Sequence, residues 1–144
     1  MERIFICPLL VFQILCFRMM AVMMISLLTF LSGYLKDFAK EQQIDESLFK
    51  AILRKLDFSR IQFEKYMQDF SAGQKKKVLI AASLCKQAHL YIWDEPLNYI
   101  DVLSRMQIEE LIESFKPTML FVEHDRAFCE NIATKTVDLS EVDA

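Results

Sequence analysis

The chain has 144 residues, enough for one domain with one modest core. Its net charge is −3 and its pI is near 5.4, so no global basic field favours nucleic acid and no DNA partner is expected. The four cysteines form no CxxC pair and have no histidine at ligand spacing, which indicates reduced thiols in a cytosolic protein.

The first 31 residues are hydrophobic, and Arg18 is the only charge between Ile4 and Leu31. A membrane span takes about 20 apolar residues, but Arg18 splits the run into two stretches of about 13, each short for a span. Glu2 weakens the basic start that a signal peptide needs. Three interpretations stay open: a membrane or signal segment over residues 4–31, an out-of-frame start after a gene break, and genuine buried strands.

A boundary is expected near residues 31–33, and from Lys36 onward charged and apolar residues alternate as in a soluble globular protein. Residues 34–42 and 47–56 are predicted to form short amphipathic helices. In the second, Leu48, Ile52 and Leu56 make an apolar stripe at i, i+4 and i+8. Ser71 is predicted to cap a longer helix over residues 72–86, a run rich in good helix formers.

The second half of the chain predicts an α/β fold. Residues 90–93 are a continuous apolar run ending at Asp94-Glu95-Pro96, which is typical of a buried parallel strand. A second such strand is predicted over residues 118–122, ending at Glu123-His124-Asp125. Helices are predicted over residues 102–115 and 126–133, and a last strand over residues 136–139. This alternation indicates a parallel sheet covered by helices.

The predicted start of the helix at Ser71-Ala72-Gly73-Gln74 is one candidate binding site. A helix N-terminus offers unpaired N–H groups and about half a positive charge. Gly73 lets the backbone come close to an anion, and Ser71 adds a hydroxyl group. Taken alone, the same residues describe an ordinary capped helix.

Two further candidates lie where the predicted strands end, the usual site position in α/β proteins. In nucleotide hydrolases a carboxylate at the place of Asp94 holds Mg²⁺, and one at the place of Glu95 orients the attacking water. His124 has the chemistry to hydrogen-bond a phosphate or that water. Adjacent carboxylates and single histidines are also common structural features.

The order of these blocks resembles the ATP-binding-cassette family: SAGQ (71–74), DEP (94–96), NYID (98–101) and EHD (123–125). The intervals suit that family, since Gln74 and Asp94 are 20 residues apart and Asp94 and His124 are 30 apart. The family calls these blocks the signature, the Walker B strand with its catalytic glutamate, the D-loop and the switch histidine. Within the family, the chain resembles the ABC-F proteins, which work on ribosomes. Residues 31–139 resemble in particular the second cassette of their antibiotic-resistance members, which protect ribosomes against lincosamides, streptogramin A and pleuromutilins.

The resemblance implies a role for each matching position. Asp94 would help to hold Mg²⁺, Glu95 would position the lytic water, and His124 would sense the γ-phosphate. The signature residues Ser71, Ala72, Gly73 and Gln74 would contact ATP held mainly by another cassette. The D-loop, with Asn98 and Asp101, would cross between the two cassettes. Ala72 departs from the glycine usual in the family. The implied cofactors are ATP and Mg²⁺, and the implied partners are another cassette and the ribosome.

The phosphate-binding loop G-x-x-x-x-G-K-[ST] does not occur, because the two glycines, Gly33 and Gly73, are 40 residues apart. We therefore expect a partial P-loop NTPase domain that lacks its phosphate-loop half: an out-of-frame segment over 1–31, a helical signature subdomain over 32–87 and an α/β part over 88–144. Its function would be that of a truncated, cytoplasmic ABC-F cassette that does not hydrolyse ATP alone. The alternatives are a transporter ATPase anchored in the membrane through residues 4–31, a binding module, and a gene remnant without function.

Overall fold

A computed structural model describes residues 3–6 and 33–137 of the chain. Residues 7–32 of the hydrophobic start and residues 138 and 139 of the predicted last strand lie outside the described residues, and so do the predictions made for them. The chain forms two compact units. Of the described residues, 3–6, 88–97 and 109–137 belong to the sheet unit, and 33–87 and 98–108 to the helical unit. Residues 98–108 were expected in the α/β part, but their contacts group them with the signature helix.

The helical unit contains helices α1 (Leu35–Glu41), α2 (Glu46–Lys55) and α3 (Ala72–Cys85), with short 3₁₀ turns at Arg60–Glu64 and Met67–Asp69. Helix α2 begins at Asp45, whose side chain accepts a 2.7 Å hydrogen bond from the Leu48 N–H group. Its buried face consists of Phe49, Ile52, Leu53 and Leu56.

The apolar stripe predicted for α2 was therefore wrong at one position. Leu48 is 39% exposed, whereas Phe49 is 1% exposed. The spacing 49, 52, 53, 56 covers the wider helix face that packs on a core, while 48, 52, 56 follows one edge of that face. Ala39 of α1, Met67 of the second 3₁₀ turn and Val78 of α3 are completely buried in the same unit.

The sheet unit contains strands β1 (Arg3–Ile6), β2 (Tyr91–Asp94), β3 (Met119–Val122) and β4 (Lys135–Val137). The pairings between these four strands are parallel, and the strand order is β2-β3-β1-β4. Helix α4 (Val102–Phe115) connects β2 to β3, and helix α5 (Arg126–Ile132) connects β3 to β4. An edge-to-face contact between Phe121 and Phe128, with ring centroids 5.4 Å apart, packs α5 on β3.

The position of β1 was not predicted. Its four residues pair with β3 on one side and β4 on the other, so at Arg3–Ile6 the chain forms a strand inside the sheet. A strand within a long apolar run shows no period of two, and periodicity alone does not separate it from a helix. In the part of the chain that the structure describes, no helix is long and apolar enough to cross a membrane.

The pairing of β2 with β3 places their carboxyl ends side by side. Asp94 is in register with Val122, and the Glu95 N–H group continues the ladder by donating to the Val122 carbonyl at 2.9 Å. The two loops that leave these strands therefore begin next to each other. This edge is where the sequence places its carboxylates and its histidine.

Candidate functional site

The end of the sheet brings Glu95 and His124 together. The His124 Nε2 atom lies 3.4 Å from a carboxylate oxygen of Glu95. The His124 side chain is 67% exposed and the Glu95 side chain is 40% exposed, so water and ligands reach both of them. A carboxylate and an imidazole at this separation are suited to orient a water molecule and to move a proton.

The backbone of Glu95 has φ = +44°, a left-handed conformation that residues other than glycine rarely adopt. Five non-glycine residues of the described chain have positive φ, and three of them lie just after helix ends, where this conformation is a common termination. The other two, Glu95 and Tyr99, lie between β2 and α4. A left-handed residue costs about 1–2 kcal/mol, and such cost is often concentrated at functional sites.

Asp94 is the last residue of β2, and its side chain is exposed. Among the described residues, no group of three or more His, Cys, Asp or Glu side chains could hold a metal ion by itself. Mg²⁺ usually binds through one or two carboxylates together with water and phosphate oxygens. Asp94 therefore fits as one ligand of a nucleotide-bound Mg²⁺, and the other ligands would have to come from the nucleotide and from water.

Glu123 was not among the predicted site residues, although it precedes His124. It is 5% exposed, and its carboxylate accepts hydrogen bonds from the N–H groups of Leu97 and His124 at 3.0 and 2.7 Å. A longer contact of 3.4 Å joins it to the Asp125 N–H group. The signal that could have identified it is a charged residue at the end of a strand that is otherwise buried.

In the helical unit, the side chains at the start of α3 are already engaged. The Ser71 hydroxyl accepts a hydrogen bond from the Gln74 N–H group at 3.2 Å, and the Gln74 side-chain oxygen accepts one from the Ser71 N–H group at 3.0 Å. This capping box confirms the predicted cap at Ser71. Ser71 and Ala72 are exposed, and the next two residues are half-buried. Because both side-chain oxygens accept bonds within the helix turn, what this turn offers a ligand is donors: the Ser71 hydroxyl, the Gln74 side-chain NH₂ group and backbone N–H groups.

Gly73 faces the loop before α4. A Cβ atom built on Gly73 would lie 2.6 Å from the carbonyl oxygen of Tyr99, closer than real Cβ atoms approach. The sequence predicts that this glycine leaves room for an anion, and in the structure its missing side chain makes room for the backbone of the predicted D-loop. Tyr99 itself has φ = +67° and is 81% exposed.

Asp101 caps α4. One of its oxygens accepts from the Ser104 N–H group at 2.9 Å, and the other accepts from the Ser104 hydroxyl at 2.5 Å. These bonds, led by that of the hydroxyl, lower the pKa of Asp101 below its ordinary value. Lys77 of α3 reaches the same carboxylate at 3.9 Å. Asn98 is exposed at the beginning of this loop. The loop is thus joined to α3 at two points one helical turn apart, Gly73 and Lys77.

Comparison with known proteins identifies the family. The sequence profile described as "ABC transporter" matches residues 13–98, more than half of the chain. The chain belongs to the ABC transporter family. It is an ABC ATPase domain, and the parallel sheet with its helices agrees with that fold. The match begins inside the hydrophobic segment and includes the signature, Asp94, Glu95 and Asn98.

The relatives include ABC-F-type proteins. The chain is 30% identical to the probable ATP-binding protein YbiT of Escherichia coli O157:H7, covering 70% of this chain and 19% of the relative. It is also 30% identical to the ribosome protection protein VmlR of Bacillus subtilis (strain 168), covering 69% of this chain and 19% of that protein. The chain therefore spans about a fifth of the length of these relatives.

Among solved structures, the fold is similar to that of an archaeal ribosome recycling factor solved with an archaeal ribosomal stalk protein. The TM-score is 0.66, with 21% identity over 95% of this chain and 24% of the other. At this identity the likeness concerns the fold alone.

Proposed function

We propose that this chain is part of the second cassette of an ABC-F protein of the ribosome-protection type. In the whole protein, ATP binding and hydrolysis would be coupled to protection of the ribosome against antibiotics of the lincosamide, streptogramin A and pleuromutilin classes. The observation that carries the proposal is the 3.4 Å approach of Glu95 and His124 directly beyond the strand that ends at Asp94. The ABC-F-type relatives support the choice within the family.

In this proposal each group has a separate task. Mg²⁺ bound at Asp94 would neutralise phosphate charge when nucleotide is present. Glu95 would hold the attacking water, and the exposed His124 imidazole would contact the γ-phosphate. Since Glu95 and His124 touch each other, a water held by one lies within reach of the other.

The chain by itself is expected not to hydrolyse ATP. Phosphoryl transfer depends mainly on positioning and on electrostatic stabilisation of the phosphates, and the 144 residues contain no G-x-x-x-x-G-K-[ST] motif. The test is steady-state phosphate release by the purified chain, with Glu95→Gln as the matched variant. Release at the buffer rate by both proteins is the expected result. Turnover that Glu95→Gln abolishes would contradict the proposal.

The helical unit carries an apolar surface that supports docking on another cassette. Val102, Leu103 and Met106 lie on one face of α4, and Tyr99 lies in the loop before it. These four residues are exposed by 70%, 58%, 58% and 81%, respectively. Together they expose an area on the order of several hundred Å², the size at which an apolar patch commonly marks an interaction site. We assign this D-loop patch to a second cassette because it is continuous with Asp101, the residue that the resemblance places in the loop crossing between cassettes.

A pull-down with an intact, hydrolysis-deficient ABC-F first cassette tests the docking. We expect greater recovery in ATP than in ADP, because the γ-phosphate is the group that distinguishes the two states. Met106→Lys should reduce recovery in both nucleotides, whereas the exposed Glu113→Lys, on the same helix in the sheet unit, should not. Equal recovery in ATP and ADP would overturn the role given to the signature.

Substitutions at Gly73 need a paired design. Gly73→Asp adds a negative charge, but the structure shows that any Cβ atom there meets the Tyr99 carbonyl. Gly73→Ala adds the clash without the charge. A loss of ATP-dependent recovery with aspartate that clearly exceeds the loss with alanine is expected if the turn approaches a phosphate. Equal losses would mean that the effect comes from the displaced D-loop.

The membrane-anchored transporter subunit remains the alternative outcome. Cosedimentation of the chain with ribosomes, from extracts made without detergent, is the result expected for the ABC-F assignment. Recovery only in the membrane pellet, released by detergent, would favour the transporter instead.

A further inference from the structure

Glu123 is a charged side chain that the proposed chemistry does not use. It ends β3 and is 5% exposed, so its carboxylate is removed from water. A buried charge is costly unless its hydrogen-bonding capacity is satisfied within the protein. The bonds that the structure describes for this carboxylate all come from backbone N–H groups: Leu97 in the loop after β2, and His124 and Asp125 in the loop after β3.

The two oxygens divide these bonds between the two loops. Oε2 accepts from Leu97 at 3.0 Å, and Oε1 accepts from His124 at 2.7 Å and more weakly from Asp125 at 3.4 Å. An ionised carboxylate is the side chain that presents two acceptor oxygens and no donor. An amide would turn an NH₂ group toward one of the two loops, where it would meet another donor.

We propose that Glu123 is a positioning residue that holds the Glu95–His124 pair at its observed separation. Its carboxylate ties the loop that carries Glu95 to the loop that carries His124. Glu95 is two residues from Leu97, and His124 is bound through its own N–H group. The importance of this separation for ATP chemistry rests on the function proposed above, but the geometry of the tie does not.

The pair needs such a tie because its own contact is weak. The His124 side chain is 67% exposed and that of Glu95 is 40% exposed, and an ion pair in contact with water rarely fixes the geometry of its partners. In addition, Glu95 has an unfavourable positive φ, from which a loop that was free to move would relax. A carboxylate with charge-assisted bonds to both loops opposes that relaxation from inside the protein.

The test is NMR of the complete 144-residue chain, without nucleotide or partner, so its outcome is independent of the proposed function. In the wild-type background, Glu95→Gln is expected to change the ring proton and carbon shifts of His124. In the Glu123→Gln background the same substitution should change them by less than half as much. An equal response in the two backgrounds would overturn the proposal. A purely structural contribution of Glu123 would lower stability without altering this coupling.

Amide hydrogen exchange gives a second measurement. Glu123→Gln should speed exchange at Leu97 about fivefold or more relative to the Glu95 amide, which donates to the Val122 carbonyl instead. Glu110→Gln, an exposed carboxylate of α4 within the sheet unit, should change neither amide. Unchanged exchange at Leu97 would contradict the tie directly.

Glu123→Asp decides the case if Glu123→Gln does not fold. Aspartate keeps the charge but withdraws the carboxylate by about 1.5 Å, the length of one C–C bond. The adjacent His124 amide should then remain protected while Leu97 exchanges faster, and the response of His124 to Glu95→Gln should fall. If Leu97 and His124 both stay protected and the His124 shifts respond to Glu95→Gln as in the wild type, the carboxylate need not reach both loops. That result would overturn the proposal.

Discussion

The two candidate sites use their polar side chains in opposite ways. At the end of the sheet, the side chains of His124 and Glu95 are 67% and 40% exposed, and bonds from backbone N–H groups to the Glu123 carboxylate hold the loops that carry them. At the start of α3, the side-chain oxygens of Ser71 and Gln74 accept bonds from each other's backbone, so this turn offers a ligand hydrogen-bond donors. The side chains of the first site are thus exposed for chemistry, whereas those of the second are held by the helix and offer a ligand donors alone.

This difference separates the cost of a substitution to folding from its cost to function. A side chain that caps a helix contributes to stability in the absence of any ligand. An exposed carboxylate or imidazole contributes almost nothing until a ligand arrives. We therefore expect the two sites to respond differently to comparable substitutions, and four measurements would break or sharpen the contrast.

The largest effect is expected at Gly73, where no side chain is tolerated. Gly73→Ala should lower the free energy of unfolding by about 1–3 kcal/mol, because the new methyl group overlaps the Tyr99 carbonyl and the loop must move. Urea unfolding measures this, with Ala72→Ser at the neighbouring exposed position as the control. A change of less than about 0.5 kcal/mol would mean that the loop is not held against α3.

Removing one polar side chain from each site compares them directly. Ser71→Ala should cost about 1 kcal/mol of stability because the Gln74 N–H group loses its acceptor. His124→Ala should cost less than about 0.5 kcal/mol, since the imidazole is 67% exposed. The contrast fails if the histidine substitution is the more damaging of the two in thermal or urea unfolding.

Glu95 provides a case in which losing the side chain should stabilise the fold. Glu95→Gly removes the left-handed cost of about 1–2 kcal/mol, partly offset by the greater freedom of glycine in the unfolded chain. Glu95→Ala loses the same carboxylate but keeps Cβ. We expect the glycine variant to exceed the alanine variant by a few tenths to about 1 kcal/mol in unfolding free energy. Equal stabilities would remove the argument that strain is stored at this residue.

The smallest effect concerns one thiol in each unit. Burial raises the pKa of Cys85 from 9.0 to about 11, and burial followed by the Glu123 carboxylate does the same for Cys129. Each raised pKa therefore contributes to the stability of the fold. The contribution is fully present below the ordinary thiol pKa and is lost as the pH rises through about 11. Alkylation by iodoacetamide, followed for each peptide by mass spectrometry, should be slower at pH 9 in the folded than in the unfolded chain.

Glu123→Gln sharpens the comparison of the thiols. It removes a negative charge near Cys129 but not near Cys85, so only the pKa of Cys129 should fall and only its alkylation should accelerate at pH 9. Equal acceleration of both thiols would indicate general loosening of the fold rather than a local charge effect.

Much of this description follows from the sequence by itself. The cap at Ser71 was predictable, and so was the position of Asp94 and Glu95 at the end of a strand. Capping and short apolar runs are local properties of the chain. The order of the four motifs indicated the family for the same reason. Apart from the end of the last strand, the helix and strand bounds of the second half agree with the structure to within about two residues, the usual scatter of such boundaries.

The remaining features required tertiary structure. Four features join residues far apart in the chain: the place of β1 between β3 and β4, the Tyr99 carbonyl opposite Gly73, the bond from the Leu97 N–H group to Glu123, and the 3.4 Å contact of Glu95 with His124. A motif states which residue types are present and in what order, but not which backbone groups face them. Those partners depend on the pairing of strands and on the path of the loops, and both are decided by packing across the whole fold rather than by any local pattern.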